Sequence, residues 1–151
     1  MQPLPNLRWP RVGDLMRRRY VTVAPDHPLE ALTELMRFAR VRHLPVVSDG
    51  ILVGLVSYRD VIEVAFERVL GALHPAKPPA DPVAAAQLVR GTTQTAQPHE
   101  RLDEAAARML ALRIGCLPVV EPTEVGPKLV GLLTESDLLR AAYAPSAAPP
   151  A

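Results

Sequence analysis

The sequence is poor in features that mark several common classes of protein. Its single cysteine, Cys116, excludes a disulfide or a thiolate metal cluster within one chain. No apolar run approaches the roughly 20 residues needed to cross a bilayer, and residues 1–13 lack the apolar core of a signal peptide. The formal net charge of +1 gives little attraction to nucleic acid or to a membrane surface. We therefore expect a soluble, cytoplasmic protein that engages neither membranes nor nucleic acids.

Catalytic and metal-binding patterns are equally scarce. His27, His74 and His99 are scattered over predicted loops, without helical ligand spacing or an accompanying carboxylate cluster. No phosphate-binding loop, nucleophile elbow or zinc-protease motif is present. The small basic cluster at residues 17–19 has no interleaved aromatics, which is typical of a solvated helix face. We predict no metal site and no enzymatic activity, and we expect Cys116 to be a small buried apolar residue.

The sequence does contain a duplication. Leu-Pro-Val-Val at residues 44–47 returns at residues 117–120, and the segment 53–60 returns as 130–137 with the same order of Gly and Asp. Such repetition indicates two related halves. Each half has only about 60 residues, a size that buries a marginal fraction of its surface alone. We expect the halves to fold together about a pseudo-two-fold axis.

Hydrophobic periodicity predicts one order of elements in both halves, namely strand, helix, strand, strand and helix after a short leading helix. The predicted fold class is therefore α/β, with two α+β-like repeats of the form β-α-β-β-α. The predicted segments are an N-terminal arm at 1–10, repeat 1 at 11–73, a linker at 74–82, repeat 2 at 83–143 and a disordered tail at 144–151. The predicted elements include short helices at 12–18 and 83–89, strands at 20–23 and 92–96, a helix at 102–112, and hairpin loops at 49–50 and 121–128.

Acidic residues near two helix starts have two interpretations, which the residues alone leave open. Ser57 precedes Asp60, and Thr134 precedes Asp137, at the spacing of a capping box. Stabilisation of the helix ends would account for these residues. The same geometry suits a nucleotide, because a carboxylate can accept hydrogen bonds from the vicinal ribose hydroxyls and the N–H groups of a helix start can hold phosphate.

These motifs resemble those of the CBS domain family. A strand with Leu-Pro-Val-Val, a second strand with Val-Gly-Leu, and Ser/Thr-x-x-Asp at the next helix start occur twice within residues 12–143. The resemblance implies a tandem pair, often called a Bateman module, that binds adenine nucleotides or S-adenosylmethionine in clefts between the repeats. It also implies a homodimer and regulation of another protein, which for this chain would be a separate effector. It implies no catalytic cofactor.

The resemblance further implies which residues bind the ligand. Asp60 and Asp137 would contact ribose, and Ser57 and Thr134 would contact phosphate. The other implied positions are charged or polar residues near the phosphates and residues of the opening and Leu-Pro strands near the adenine: Arg59, Ser136, Arg42, His43, Cys116, Thr22, Val23, Thr95, Ala96, Leu44, Pro45, Leu117 and Pro118. Without the resemblance, the apolar character of the Leu-Pro positions would predict residues of core strands.

The two copies differ in the charge that they offer to a phosphate. Gly115 and Cys116 stand where the first copy has Arg42 and His43. We therefore expect two unequal clefts. Two hypotheses of function follow: a sensor of adenosine-containing ligands, or a ligand-free scaffold that dimerises through the apolar faces of helices at 58–73 and 134–143.

Overall fold

The computed structural model describes residues 10–74, 76 and 81–143. Its fold is mixed α/β, as predicted. The elements are α1 (Val12–Leu15), α2 (Leu29–Ala39), β1 (His43–Ser48), β2 (Ile51–Ser57), α3 (Tyr58–Ala72), α4 (Ala85–Leu88), α5 (Leu102–Leu112), β3 (Cys116–Thr123), β4 (Gly126–Thr134) and α6 (Glu135–Tyr143). The predicted tail, nearly all of the predicted arm and most of the predicted linker lie outside the described residues. No helix in the described ranges is long and apolar enough to span a membrane.

The chain divides into two compact units, each built around one copy of the repeated motif. The first unit is Val21–Thr93, and the second unit combines Met1–Tyr20 with Gln94–Ala151. Helix α1 therefore belongs to the second unit, although it precedes the first copy in sequence, and α4 belongs to the first unit. The predicted bounds differ on this point: they place α1 in repeat 1 (11–73) and α4 in repeat 2 (83–143).

An antiparallel hairpin organises the first unit. Strands β1 and β2 pair from His43 opposite Ser57 to Ser48 opposite Ile51. The predicted turn at residues 49–50 forms, with both residues at positive φ, as the Asp-Gly pair favours. The register therefore brings the beginning of β1 beside the end of β2, where Ser57 leads into α3.

The hairpin of the second unit is longer than predicted. Strands β3 and β4 pair from Cys116 opposite Thr134 to Thr123 opposite Gly126, so most of the loop predicted at residues 121–128 is strand. Proline and glycine suggested a loop there, but the cross-strand pair of Glu121 and Lys128 has opposite charges, which favours pairing. This correction leaves the motif positions at the far end of the hairpin unchanged.

The strands predicted at residues 20–23 and 92–96 do not form. Each is reduced to one parallel bridge, Val23 with Val46 and Ala96 with Val119. In each case a proline follows two residues later, and proline has no N–H with which to extend a ladder. The bridges still hold these segments against β1 and β3.

Each unit has its own apolar core, to which a short helix from a distant part of the sequence contributes. In the first unit, Ala85 and Leu88 of α4 join the core. In the second unit, Val12 of α1 and the adjacent Met16 do the same. Burial of these side chains, rather than local helix propensity, explains why such short helices are ordered.

Candidate functional site

In the first copy, Asp60 and Ser57 form a complete capping box. Oδ2 of Asp60 accepts hydrogen bonds from the backbone N–H of Ser57 at 2.8 Å and from the Ser57 hydroxyl at 2.7 Å. The N–H of Asp60 is directed back to Oγ of Ser57 at 3.2 Å. The box fixes the start of α3 and orients the carboxylate.

The other carboxylate oxygen of Asp60, Oδ1, takes no part in the capping box. Among the described residues, no donor reaches Oδ1 within hydrogen-bonding distance, and Asp60 forms no ion pair. The residue is half-buried. An oriented carboxylate with one available oxygen can accept hydrogen bonds from a diol.

Arg42 and His43 lie beside this box. The N–H of Tyr58, the first residue of α3, donates to the carbonyl of Arg42 at 2.7 Å, and His43 is opposite Ser57 in the hairpin register. Arg42 is exposed and His43 half-buried. The structure thus brings together four of the predicted residues: Ser57, Asp60, Arg42 and His43.

Arg59 is directed differently. Its side chain is 88% exposed and forms an ion pair with Glu63, Nε to Oε1 at 3.5 Å. Glu63 also pairs with Arg90 at 3.2 Å. Arg59 therefore lies on an outer face of α3, where part of its charge is compensated.

The second copy repeats the capping box. Oδ2 of Asp137 accepts from the N–H of Thr134 at 3.0 Å and from its hydroxyl at 2.7 Å, and the N–H of Asp137 donates to Oγ1 of Thr134 at 3.3 Å. The carboxylate has the same local geometry as Asp60. Its surroundings are different.

Asp137 is buried and held by an arginine. Arg17 Nε donates to Oδ1 of Asp137 at 2.7 Å, the side chain of Asp137 is only 1% exposed, and Arg140 Nη1 lies 3.7 Å from the same oxygen. Both carboxylate oxygens are therefore engaged. A ribose could reach this carboxylate only by displacing Arg17.

Cys116 lies beside this buried pair. The pKa of its thiol is raised to about 12, mainly by burial and to a lesser extent by the charge of Asp137, while the charge of Arg17 opposes the shift. A protonated buried thiol has little nucleophilic reactivity. In place of the half-exposed His43 of the first copy, the second copy has an inert apolar group.

The remaining predicted site residues are either buried in the core of their unit or lie at its surface. Val23, Leu44 and Pro45 in the first unit, and Ala96, Leu117 and Pro118 in the second, are buried. Thr22 and Ser136 are exposed, whereas Thr95 is half-buried. The N–H and C=O of Val23 are bonded to β1, and those of Ala96 to β3, so these four groups already have partners.

Among the cavities lined by described residues, two lie within single units, and Asp60 and Asp137 line neither of them. One of about 540 Å³ in the second unit includes Thr95 and Ala96. One of about 510 Å³ in the first unit includes Val23. No group of three potential metal ligands occurs within the described parts of the chain.

Arg17 is the functional residue that sequence reasoning missed. Its neighbours Arg18 and Arg19 are exposed, in keeping with a solvated cluster, but Arg17 is directed to Asp137. The alignment of the two copies offered one indication, since Arg90 occupies the corresponding place after α4. Nothing in the local sequence distinguishes Arg17 from the arginines that follow it.

Comparison with known proteins identifies the family. The CBS domain family model matches residues 12–67 and 83–144. The chain belongs to the CBS domain family. The chain is 28% identical over 127 residues to the CBS domain-containing protein YhcV of Bacillus subtilis, and the match covers 84% of this chain and 81% of YhcV. For several longer curated relatives, the match covers less than half of the relative's length.

Solved CBS structures have the same fold. CBSX2, whose crystal structure is a complex with AMP, is 30% identical with a TM-score of 0.71, and the match covers 88% of this chain and 96% of CBSX2. The CBS domain pair of MJ0100, in complex with 5′-methylthioadenosine and S-adenosylmethionine, has a TM-score of 0.68 at 22% identity over 87% and 94% of the two chains. At that identity the second match shows the fold alone.

Proposed function

We propose that this protein is a regulatory module that binds an adenosine-containing ligand at the first copy of the motif and signals to a separate effector protein. The candidate ligands are AMP, ADP, ATP and S-adenosylmethionine. Family membership and the AMP complex of CBSX2 support this class of ligand. The observation that carries the proposal is the orientation of Asp60, whose Oδ1 has no donor among the described residues.

Asp60 can bind ribose without losing its structural role. Oδ2 remains on Ser57, while Oδ1 accepts from the ribose hydroxyls. A hydrogen bond to a carboxylate is about twice as strong as one between neutral groups. Arg42 and the positive end of α3 would attract a phosphate nearby. The proposal involves binding only and no chemical step.

Regulation would operate by population shift. A ligand changes the conformation of a protein only to the extent that it binds one state more tightly than another. Ligands with one, two or three phosphates place different negative charge near Arg42, so they would stabilise the ligand-competent state to different degrees. An effector that recognises that state would thus respond to the ratio of the nucleotides.

Thermal melting with AMP, ADP, ATP and S-adenosylmethionine tests the proposal. A ligand that binds only the folded state adds about 2.7 kcal/mol to the free energy of unfolding at a hundredfold excess over Kd. We expect Asp60→Asn to lose this ligand-induced rise in Tm. Its own Tm without ligand will also fall somewhat, because the capping box is weakened, so the shift rather than the basal Tm is the readout.

Asp49→Asn is the matched control. It makes the same chemical change in the same unit, at a turn residue with positive φ, a conformation that asparagine tolerates. It should retain the full ligand shift. An unchanged shift in Asp60→Asn, or no shift with any of the four ligands in the wild type, would contradict the proposal.

A second candidate function is self-association without a ligand. Helix α3 and the residue that follows it expose an apolar stripe, which includes Ile62, Phe66 at 61% exposure, Val69 and, just after the helix, Leu73 at 72% exposure. Their spacing follows one face of a helix, and exposed apolar patches mark interaction sites. A second copy of this chain is the occupant that we propose for this stripe.

Sedimentation equilibrium tests self-association. Phe66→Asp should shift the chain toward monomer, whereas Phe38→Asp, at an exposed aromatic on α2, should not. A monomeric wild type at micromolar concentration would contradict this second candidate.

A further inference from the structure

Arg17 and Arg90 occupy equivalent places but have different partners. Each arginine follows the short helix of its unit, α1 or α4, by two residues. Arg90 extends outward to Glu63, whereas Arg17 is directed inward to Asp137. Asp60, the counterpart of Asp137, has no ion-pair partner in the part of the chain that the structure describes.

Two features account for this difference. The first is the residue one helical turn after the motif aspartate: Glu63 attracts Arg90, but Arg140 stands at the same position in α6 and repels Arg17. The second is the backbone, because Arg17 exchanges two hydrogen bonds with Leu132 of β4, at 2.8 and 3.0 Å. Both features favour the position of Arg17 against Asp137.

We infer that Arg17 is an internal ligand that closes the second copy of the motif, so that each chain takes a single adenosine-containing ligand, at Asp60. This inference rests on the proposed function, in which Asp60 binds ribose. The Arg17 guanidinium donates to Oδ1 of Asp137, the equivalent of the oxygen that is available on Asp60. The second copy therefore has a stabilising role, and the first copy has the sensing role.

Burial makes this closure hard to reverse. A ligand at Asp137 would have to remove a charge-assisted hydrogen bond from a carboxylate that is 1% exposed. It would also have to rehydrate or re-pair the guanidinium. No cation among the described residues pairs with Asp60, so the difference between the two copies favours binding at the first.

Counting bound AMP by equilibrium dialysis tests the inference. We expect one AMP per wild-type chain, no AMP in Asp60→Asn, and two in Arg17→Gln. Arg90→Gln is the matched control, because it removes the same group at the equivalent place of the first unit, and it should keep a count of one. Circular dichroism melting confirms that each variant is folded.

Arg140→Glu is a second route to the same result. Arg140 is half-exposed, so this variant does not remove a buried group. The new carboxylate would offer Arg17 an outward partner, as Glu63 does for Arg90, and should raise the count from one to two. Arg113→Glu makes the same charge change at an exposed residue of the same unit and should leave the count at one.

Several outcomes would overturn the inference. The first is a count of two AMP per wild-type chain, and the second is an unchanged count in Asp60→Asn. The third is a count that stays at one in both Arg17→Gln and Arg140→Glu. If only one of these last two variants folds, the count in that variant decides. A wild type that binds no AMP contradicts the proposed function for this ligand. In that case a single site gained by Arg17→Gln supports closure by Arg17, and no gain overturns it.

Discussion

Val89 packs directly onto Gly54, so closely that a β-carbon on this glycine would lie 2.7 Å from one of the valine methyl groups. The second unit repeats this contact between Met16 and Gly131, where the added carbon would lie 2.6 Å from Sδ. In both units, therefore, the segment after a short helix is seated on the glycine of a hairpin strand. The repeated Val-Gly-Leu sequence has a packing explanation that is independent of any ligand.

Gly54→Ala should lower the free energy of unfolding by about 1–3 kcal/mol, because the new methyl overpacks the contact with Val89. Urea denaturation measures the change. Gly71→Ala is the control, since a β-carbon there meets nothing within 4 Å, and it should be neutral or stabilising by about 0.5–1 kcal/mol. Equal destabilisation by both substitutions would show that the Gly54 contact is not the cause.

Much of the fold could be predicted because the strongest local patterns agree with the tertiary structure. Helix α5 occupies the predicted residues 102–112, where periodicity and burial coincide. The first hairpin was predictable from Asp-Gly between two apolar strands. The capping boxes at Ser57 and Thr134 were equally visible, because their hydrogen bonds connect residues three positions apart.

The remainder depends on contacts between residues far apart in sequence. Nothing local indicates that α1 packs with the second copy, because that choice is decided by burial of Val12 and Met16 among residues beyond position 94. The Arg17–Asp137 pair likewise joins residues far apart in sequence, 120 positions from one to the other. Its effect on the candidate site is therefore a property of the tertiary structure that no local sequence pattern indicates.

The placement of α1 makes a distinct prediction. Met16→Ala should destabilise the second unit by about 2–5 kcal/mol, because it removes a buried side chain from that core. Native-state hydrogen exchange should accordingly show lost protection in α5 and β3, with α2 and β1 less affected. Leu110→Ala, at a residue 81% exposed on α5, is the control and should change stability by less than about 0.5 kcal/mol. Loss of protection confined to α2 and β1 would contradict the assignment of α1 to the second unit.

The two capping hydroxyls should differ in importance. Ser57→Ala should lower the free energy of unfolding by about 1 kcal/mol, the usual value for an N-cap. Thr134→Ala should cost more, about 2–3 kcal/mol, because it also removes a donor from the buried carboxylate of Asp137. Chemical denaturation of the two variants provides the comparison, with Thr92→Ala as an exposed hydroxyl control. A larger loss in Ser57→Ala would contradict the difference in burial between the two copies.

Cys116 predicts a dependence of stability on alkaline pH. Burial raises the pKa of the folded thiol to about 12, from about 8.5 in an unfolded chain. Between these values the unfolded state loses a proton that the folded state keeps, so stability is complete below about pH 8.5 and declines by up to about 1.4 kcal/mol per pH unit above it.

Urea titrations between pH 7 and 10 measure this decline. Cys116→Ala should show a smaller decline over the same range, because it has no thiol to ionise, even though its stability at pH 7 is changed by the smaller side chain. The native wild type should also react with a thiol reagent at pH 8 only as fast as it unfolds, and one equivalent should react at once in urea. Rapid labelling of the folded protein would contradict the buried, protonated thiol, and with it the closed surroundings of Asp137.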